Sequence, residues 1–148
     1  MKATLKHRDG MAFDWAIRGH HGTLDTALLG GKDRGPSPKE LLLPILLGCT
    51  GMDVVALLKK FQVPFTGFSL SASAEPREPH PRVFGEIAIE YALTGDGIPL
   101  DKVREAVDLS MTKYCAVSAM VSKAVSIRYH VLVNGEKVHE GTAKFPPL

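Results

Sequence analysis

The sequence predicts an α+β chain in which antiparallel sheets wrap a buried central helix. Three observations carry this. Residues 41–58 are apolar on nearly every side, with Asp53 as the one charge. A helix without a polar face has to be buried all round. Flanking segments alternate apolar and polar residues at period two, as half-buried strands do. Asp9-Gly10 and Asn134-Gly135 sit between such segments as hairpin turns. The order is strands, buried helix, strands, helices, strands, which is an α+β order with antiparallel pairing. At 148 residues the chain suits one domain, residues 1–148.

Taken in order, residues 2–9 and 11–18 read as a strand pair across Asp9-Gly10. Residues 22–29 form a third strand after the polar break at 18–21. A loop over 30–36 leads into the central helix. Ser37 is its N-cap, Pro38 suits the first helical position, and Glu40 completes a capping box with Ser37. Pro44 removes one backbone bond or kinks the helix. Lys59 and Lys60 suit its negative end, and Val63-Pro64 ends it. Residues 66–74 and 83–93 alternate and pair across the charged, proline-rich connection 75–81. Pro99 opens an amphipathic helix over 99–113. Residues 114–123 form a short helix or turn with Cys115 near its start. The last two strands, 125–133 and 137–144, flank Asn134-Gly135.

Composition excludes some function classes. Net charge is +2 with the signs interspersed, and no basic run interleaves with aromatics. This argues against nucleic acid and a membrane surface as partners. Asp53, Gly48 and Gly51 argue against a membrane span. The first ten residues hold no apolar signal region, which favours the cytoplasm. A fully apolar helix is hard to surround with this much sheet from one small chain, so a second copy, as a homodimer, is expected to complete its burial.

Chemistry centres on two cysteines, Cys49 in the central helix and Cys115 at the start of the later one. Free cysteine is often a small core hydrophobe. Three features also suit a reactive reading. Cys49 is polar within a helix that otherwise excludes chemistry. Cys115 opens a helical segment whose amides can stabilise a thiolate. The two thiols also divide between the two main helical regions, as an attacking and a resolving thiol would. Spacing alone does not show that they meet, and it matches no zinc-finger pattern.

Two motifs carry a resemblance. The first is Gly35-Pro36-Ser37-Pro38-Lys39-Glu40-Leu41-Leu42-Leu43, followed by Leu47-Gly48-Cys49-Thr50-Gly51-Met52-Asp53-Val54-Val55. The second is Lys113-Tyr114-Cys115-Ala116-Val117-Ser118. Together they resemble the OsmC/Ohr family over nearly the whole chain, most closely the branch with Asp-Arg-Gly-Pro-Ser-Pro before the helix, here 33–38. The resemblance implies an OsmC-like fold as an intertwined homodimer with its active sites at the subunit interface. It implies a thiol peroxidase for organic and inorganic hydroperoxides. Cys49 would attack the peroxide and Cys115 would resolve the product as a disulfide. A dithiol such as a lipoyl group, or a small thiol, would return the electrons, with no metal, flavin or haem.

Family members also set an arginine and a glutamate beside the attacking thiol. Arg34, just before the central helix, is the most attractive arginine here, with Arg8 and Arg18 as other candidates. Glu40 falls one position after the family's glutamate, where Lys39 stands, and it already serves the capping box. Ala116 replaces the family's usual proline. A second reading keeps the fold without catalysis and uses the interface for an apolar ligand. A zinc site of both cysteines and a histidine is a third, with no spacing behind it. His20 and His21 read as a solvated turn. Asp53 shares a helix face with Cys49 at i+4, where a carboxylate opposes thiolate formation.

Overall fold

The structure, a computed structural model, describes residues 1–147. It divides into two compact units, residues 1–44 and residues 45 onward, and the division falls inside the central helix.

The first unit holds a three-stranded antiparallel sheet of β1 (Thr4–His7), β2 (Phe13–Ile17) and β3 (His20–Leu24), in that order. Arg18 and Gly19 turn the chain between β2 and β3, both at positive φ, 51° and 85°. That is the twist a tight hairpin needs. Gly22 lies opposite Trp15, where an added Cβ would meet the indole at 2.7 Å. The third strand runs over 20–24 rather than 22–29. His20 and His21 pair with Ile17 and Ala16 inside it, and both stay exposed. The strand stops at Asp25, whose carboxylate accepts N–H groups from Thr26, Lys32 and Arg34 and so curls the chain into a loop.

Helix α1 spans Pro38–Lys60 and continues through Pro44. The capping box forms as expected. The Ser37 N–H donates to Glu40 Oε2 at 2.8 Å, and the Glu40 N–H donates to Ser37 Oγ at 3.4 Å.

The second unit holds a four-stranded sheet of β4 (Gly67–Pro76), β5 (Phe84–Thr94), β6 (Ser126–Val133) and β7 (Glu136–Thr142). Between β5 and β6 run α2 (Leu100–Leu109), a π-helical turn (Ser110–Tyr114) and α3 (Ala116–Val121). This crossover corrects one expectation. β4–β5 and β6–β7 are antiparallel, but β5 and β6 are parallel, with Ile87 opposite Ile127 and Tyr91 opposite Val131. A parallel pair needs a long connection, and the two helices supply it. The core gathers Leu46, Val54 and Leu58 of α1 with Ile87, Ile89 and Tyr91 of β5, and with buried residues of α2 and β6.

Within the second unit α1 buries one stripe: Leu46, Thr50, Gly51, Val54 and Leu58. A Cβ on Gly51 would come within 3.3 Å of the Leu70 side chain on β4, so glycine lets helix and sheet approach. The opposite stripe is open in the single chain, with Ile45 50% and Met52 77% exposed. At 23 residues α1 is long and apolar enough to cross a membrane by those measures alone. Its buried Thr50 is bonded to Tyr91 and Ser110, however, which makes it a core helix of this unit.

Candidate active site

Both cysteines lie in the second unit, and the fold brings them together. Cys49 and Asp53 stand one turn apart on α1 and share a face. Cys115 arrives from the other side, at the junction of the π-helical turn and α3. The two Sγ atoms and an Asp53 carboxylate oxygen all lie within 4.8 Å of one another. Neither cysteine is in a disulfide. Cys49 is partly exposed and Cys115 is buried.

Local structure explains how Cys115 is held. It is the N-cap of α3, with extended backbone at φ −69° and ψ 101°. Its sulfur accepts the Ser118 N–H at 3.3 Å and the Ser118 hydroxyl at 2.9 Å. A sulfur thus takes the place usually filled by a serine or aspartate oxygen. The π-helical turn precedes it, and the Cys115 N–H donates to the Ser110 carbonyl at 3.0 Å. Wide turns of this kind recur at functional positions.

A buried hydroxyl cluster supports the sulfurs. Thr50 Oγ1 lies 2.6 Å from the Tyr91 hydroxyl and 2.8 Å from Ser110 Oγ. Ser110 donates to Asp53 Oδ2 at 3.2 Å. The cluster ties α1, β5 and the π-helical turn together with no buried side-chain N or O left unpaired among the described residues.

Burial sets the proton affinity of Cys115 and of its neighbours Asp53 and Tyr91. Burial, with the Cys49 thiol adding to it, pushes Cys115 up to about 11 against the lowering effect of the Ser118 donors. Cys115 therefore rests as a protonated thiol at neutral pH. Burial also raises Asp53 from its ordinary value, only partly offset by the Ser110 hydroxyl. Tyr91 is raised by burial and stays a neutral phenol.

Arg34 and Glu40 sit in the first unit and are engaged there. The Arg34 guanidinium meets the Asp9 carboxylate at 2.7 Å and the Asp25 carboxylate at 3.2 Å. Those carboxylates raise its pKa further. Glu40 is lowered by the Ser37 hydroxyl and N–H that it caps. Of the other two candidate arginines, Arg8 pairs with Asp14 at 3.1 Å, and Arg18 lies exposed in the turn between β2 and β3. Thr50 and Ser118 fall inside the two sequence motifs, but neither motif gives them a role, and Tyr91 and Ser110 lie outside both. Ser118 has a legible signal, because it stands three residues after Cys115 as a cap partner does. Tyr91 and Ser110 have none, since only the sheet and the crossover bring them to Thr50.

An open apolar groove of about 650 Å³ runs along the exposed face of α1. Leu47, Gly48, Met52 and Val55 form one wall, and Phe68 and Leu70 of β4 the other.

Comparison with known proteins follows the same outline. The profile of the OsmC-like protein family matches residues 30–130. The chain is 35% identical over 130 residues to protein YhfA of Escherichia coli strain K12, covering 87% of this chain and 95% of that one. A crystal structure of a hypothetical protein from Aquifex aeolicus VF5 superposes with a TM-score of 0.79 at 27% identity, covering 99% of this chain and 97% of that one. An organic hydroperoxide resistance protein OsmC from Legionella pneumophila shares the fold at 13% identity and a TM-score of 0.66, covering 89% and 96%.

Proposed function

The chain belongs to the OsmC-like family, and from that premise we propose that it is a thiol peroxidase that reduces hydroperoxides through Cys49 and Cys115. One observation carries the reading. Two free thiols, one partly exposed and one buried, lie within 4.8 Å of each other on separate elements.

The chemistry follows from their surroundings. The accessible Cys49, as thiolate, attacks one peroxide oxygen. The O–O bond breaks, the alcohol leaves with a proton, and Cys49 becomes a sulfenic acid. Cys115 then attacks the Cys49 sulfur, water departs, and an S–S bond forms. The two thiols lose two electrons and the peroxide gains them. A dithiol reductant, lipoyl or small thiol, returns the electrons by exchange. Cys115 suits the resolving role because it is buried from the peroxide and held by Ser118. Arg34 and Glu40 are assigned to the fold of the first unit, where their partners already satisfy them.

The open stripe of α1, with Met52 and Ile45 exposed, is the surface we assign to a second copy in a homodimer. Residues 1–148 then act as one functional domain per subunit, in the cytoplasm. The groove beside that stripe supports a second reading, an apolar-ligand protein without catalysis. Titration of free thiols before and after one equivalent of cumene hydroperoxide decides between them. The peroxidase reading expects both thiols to disappear, and two thiols still free would sink it.

A further inference from the structure

We propose that reduced Cys49, Asp53 and Cys115 form a binding site for a thiophilic divalent cation, zinc(II). This goes beyond the peroxidase reading and needs only that both thiols be free. The zinc possibility raised by the sequence called for a histidine. The fold supplies Asp53 as the third donor instead.

Geometry comes first. Donors at about 2.0–2.3 Å from a tetrahedral zinc stand roughly 3.5–4 Å from one another. The three donor atoms here already lie within 4.8 Å of one another, so closing them on one ion takes a movement on the order of 1 Å. Cys49 and Asp53 are at i and i+4 of one helix, a spacing that aims two ligands at a common point. Cys115 approaches from a different element and completes a three-point chelate whose fourth position stays open.

Donor chemistry selects the ion. Two sulfurs and one carboxylate suit zinc and disfavour magnesium or calcium, which take oxygen ligands. A supporting layer is also in place. Ser110 donates to Asp53 Oδ2 at 3.2 Å, and Ser118 donates to Cys115 through its N–H and its hydroxyl. Such outer hydrogen bonds orient ligands. Zinc binding replaces the two thiol protons, which pass to solvent, and nothing is oxidised or reduced. The bound ion engages both sulfurs, so zinc and hydroperoxide compete for the same pair.

The test uses the full chain, reduced, stripped with a chelator and titrated anaerobically with cobalt(II) as a spectroscopic probe. A thiolate-to-cobalt charge-transfer band should saturate at one cobalt per chain and vanish when zinc is added. Prior alkylation of the thiols should abolish it without any substitution. Ser110→Ala should weaken cobalt binding about tenfold, and Asp53→Asn by at least as much. Circular dichroism reports whether each variant is folded. No charge-transfer band in the reduced wild-type chain overturns the proposal. So does a band that survives alkylation, or an unchanged affinity in folded Asp53→Asn. Thiol loss on hydroperoxide addition is measured separately in the metal-free protein, so either reading can fail while the other stands.

Discussion

Asp25 and Asp53 are two carboxylates withdrawn from water to different degrees, and their proton affinities move in opposite directions. Asp25 is almost wholly buried. Burial alone would raise it. Three backbone N–H groups and the Arg34 guanidinium overcome that and hold it down at about 2. Asp53 is only half-buried, yet it has a single hydroxyl donor, and burial raises it. The number of donors outweighs the depth of burial. A carboxylate that is fully hydrogen-bonded is spent on structure. One with a single donor and two sulfurs beside it is available for chemistry. The same contrast separates Arg34, held by two aspartates, from Cys49, which keeps solvent access.

The sharpest way to break this contrast lies at Cys49. Cys49→Ser should reduce hydroperoxide consumption to background while leaving the circular dichroism spectrum unchanged. Cys115→Ser should consume one equivalent and stop, leaving a sulfenate that dimedone labels. If Arg34→Gln abolishes turnover in a folded protein instead, Arg34 belongs with the chemistry and the contrast collapses.

Packing comes next in size. Leu46 is fully buried on the inner stripe of α1, and Leu46→Ala should cost about 2–5 kcal/mol in urea denaturation. A loss below about 1 kcal/mol in that measurement would mean the stripe is not core. Thr50→Val keeps the shape but leaves the buried Tyr91 hydroxyl without its partner. That should cost about 1–3 kcal/mol and lower the stability of the hydroxyl cluster that backs the thiols.

The smallest effects test the two aspartates themselves. Asp25 titrates near 2 when folded against an ordinary value of 3.8. Its stabilisation is therefore complete above about pH 4 and is lost as the pH falls toward 2. Melting curves across that range should flatten in Asp25→Asn, which should also melt at a lower temperature at neutral pH. Asp53 has the opposite sign. Its raised value means that the ionised form opposes folding at neutral pH, so Asp53→Asn should melt no lower than the wild-type chain. A marked drop would show that Asp53 is bound into the fold in the way Asp25 is.

Local features are legible in the amino-acid order. The helix expected to start at the Ser37 cap and end by Val63-Pro64 runs over Pro38–Lys60, with Ser37 and Glu40 in the capping box. The alternating segments 66–74 and 83–93 correspond to β4 and β5, and Cys115 does open a helical segment. Each of these depends on residues only a few positions apart. The parallel pairing of β5 with β6 is not legible, because both neighbouring hairpins are antiparallel. The crossover that reverses the rule is thirty-odd residues long and carries no pairing signal of its own. The partners of Arg34 are hidden in the same way, since Asp9 is 25 positions away.

The amino-acid order by itself determined the apolar helix, its cap, the strand periodicity and the placing of one thiol in each helical region. Those are short-range consequences of side-chain shape and hydrogen bonding. Tertiary structure alone decided that Cys49, Asp53 and Cys115 converge and that Asp25 is quenched while Asp53 is not. Proton affinity and disulfide reach depend on which groups the fold brings within a few ångströms. That distance is set by packing between elements remote in the chain, where spacing along the sequence carries no information.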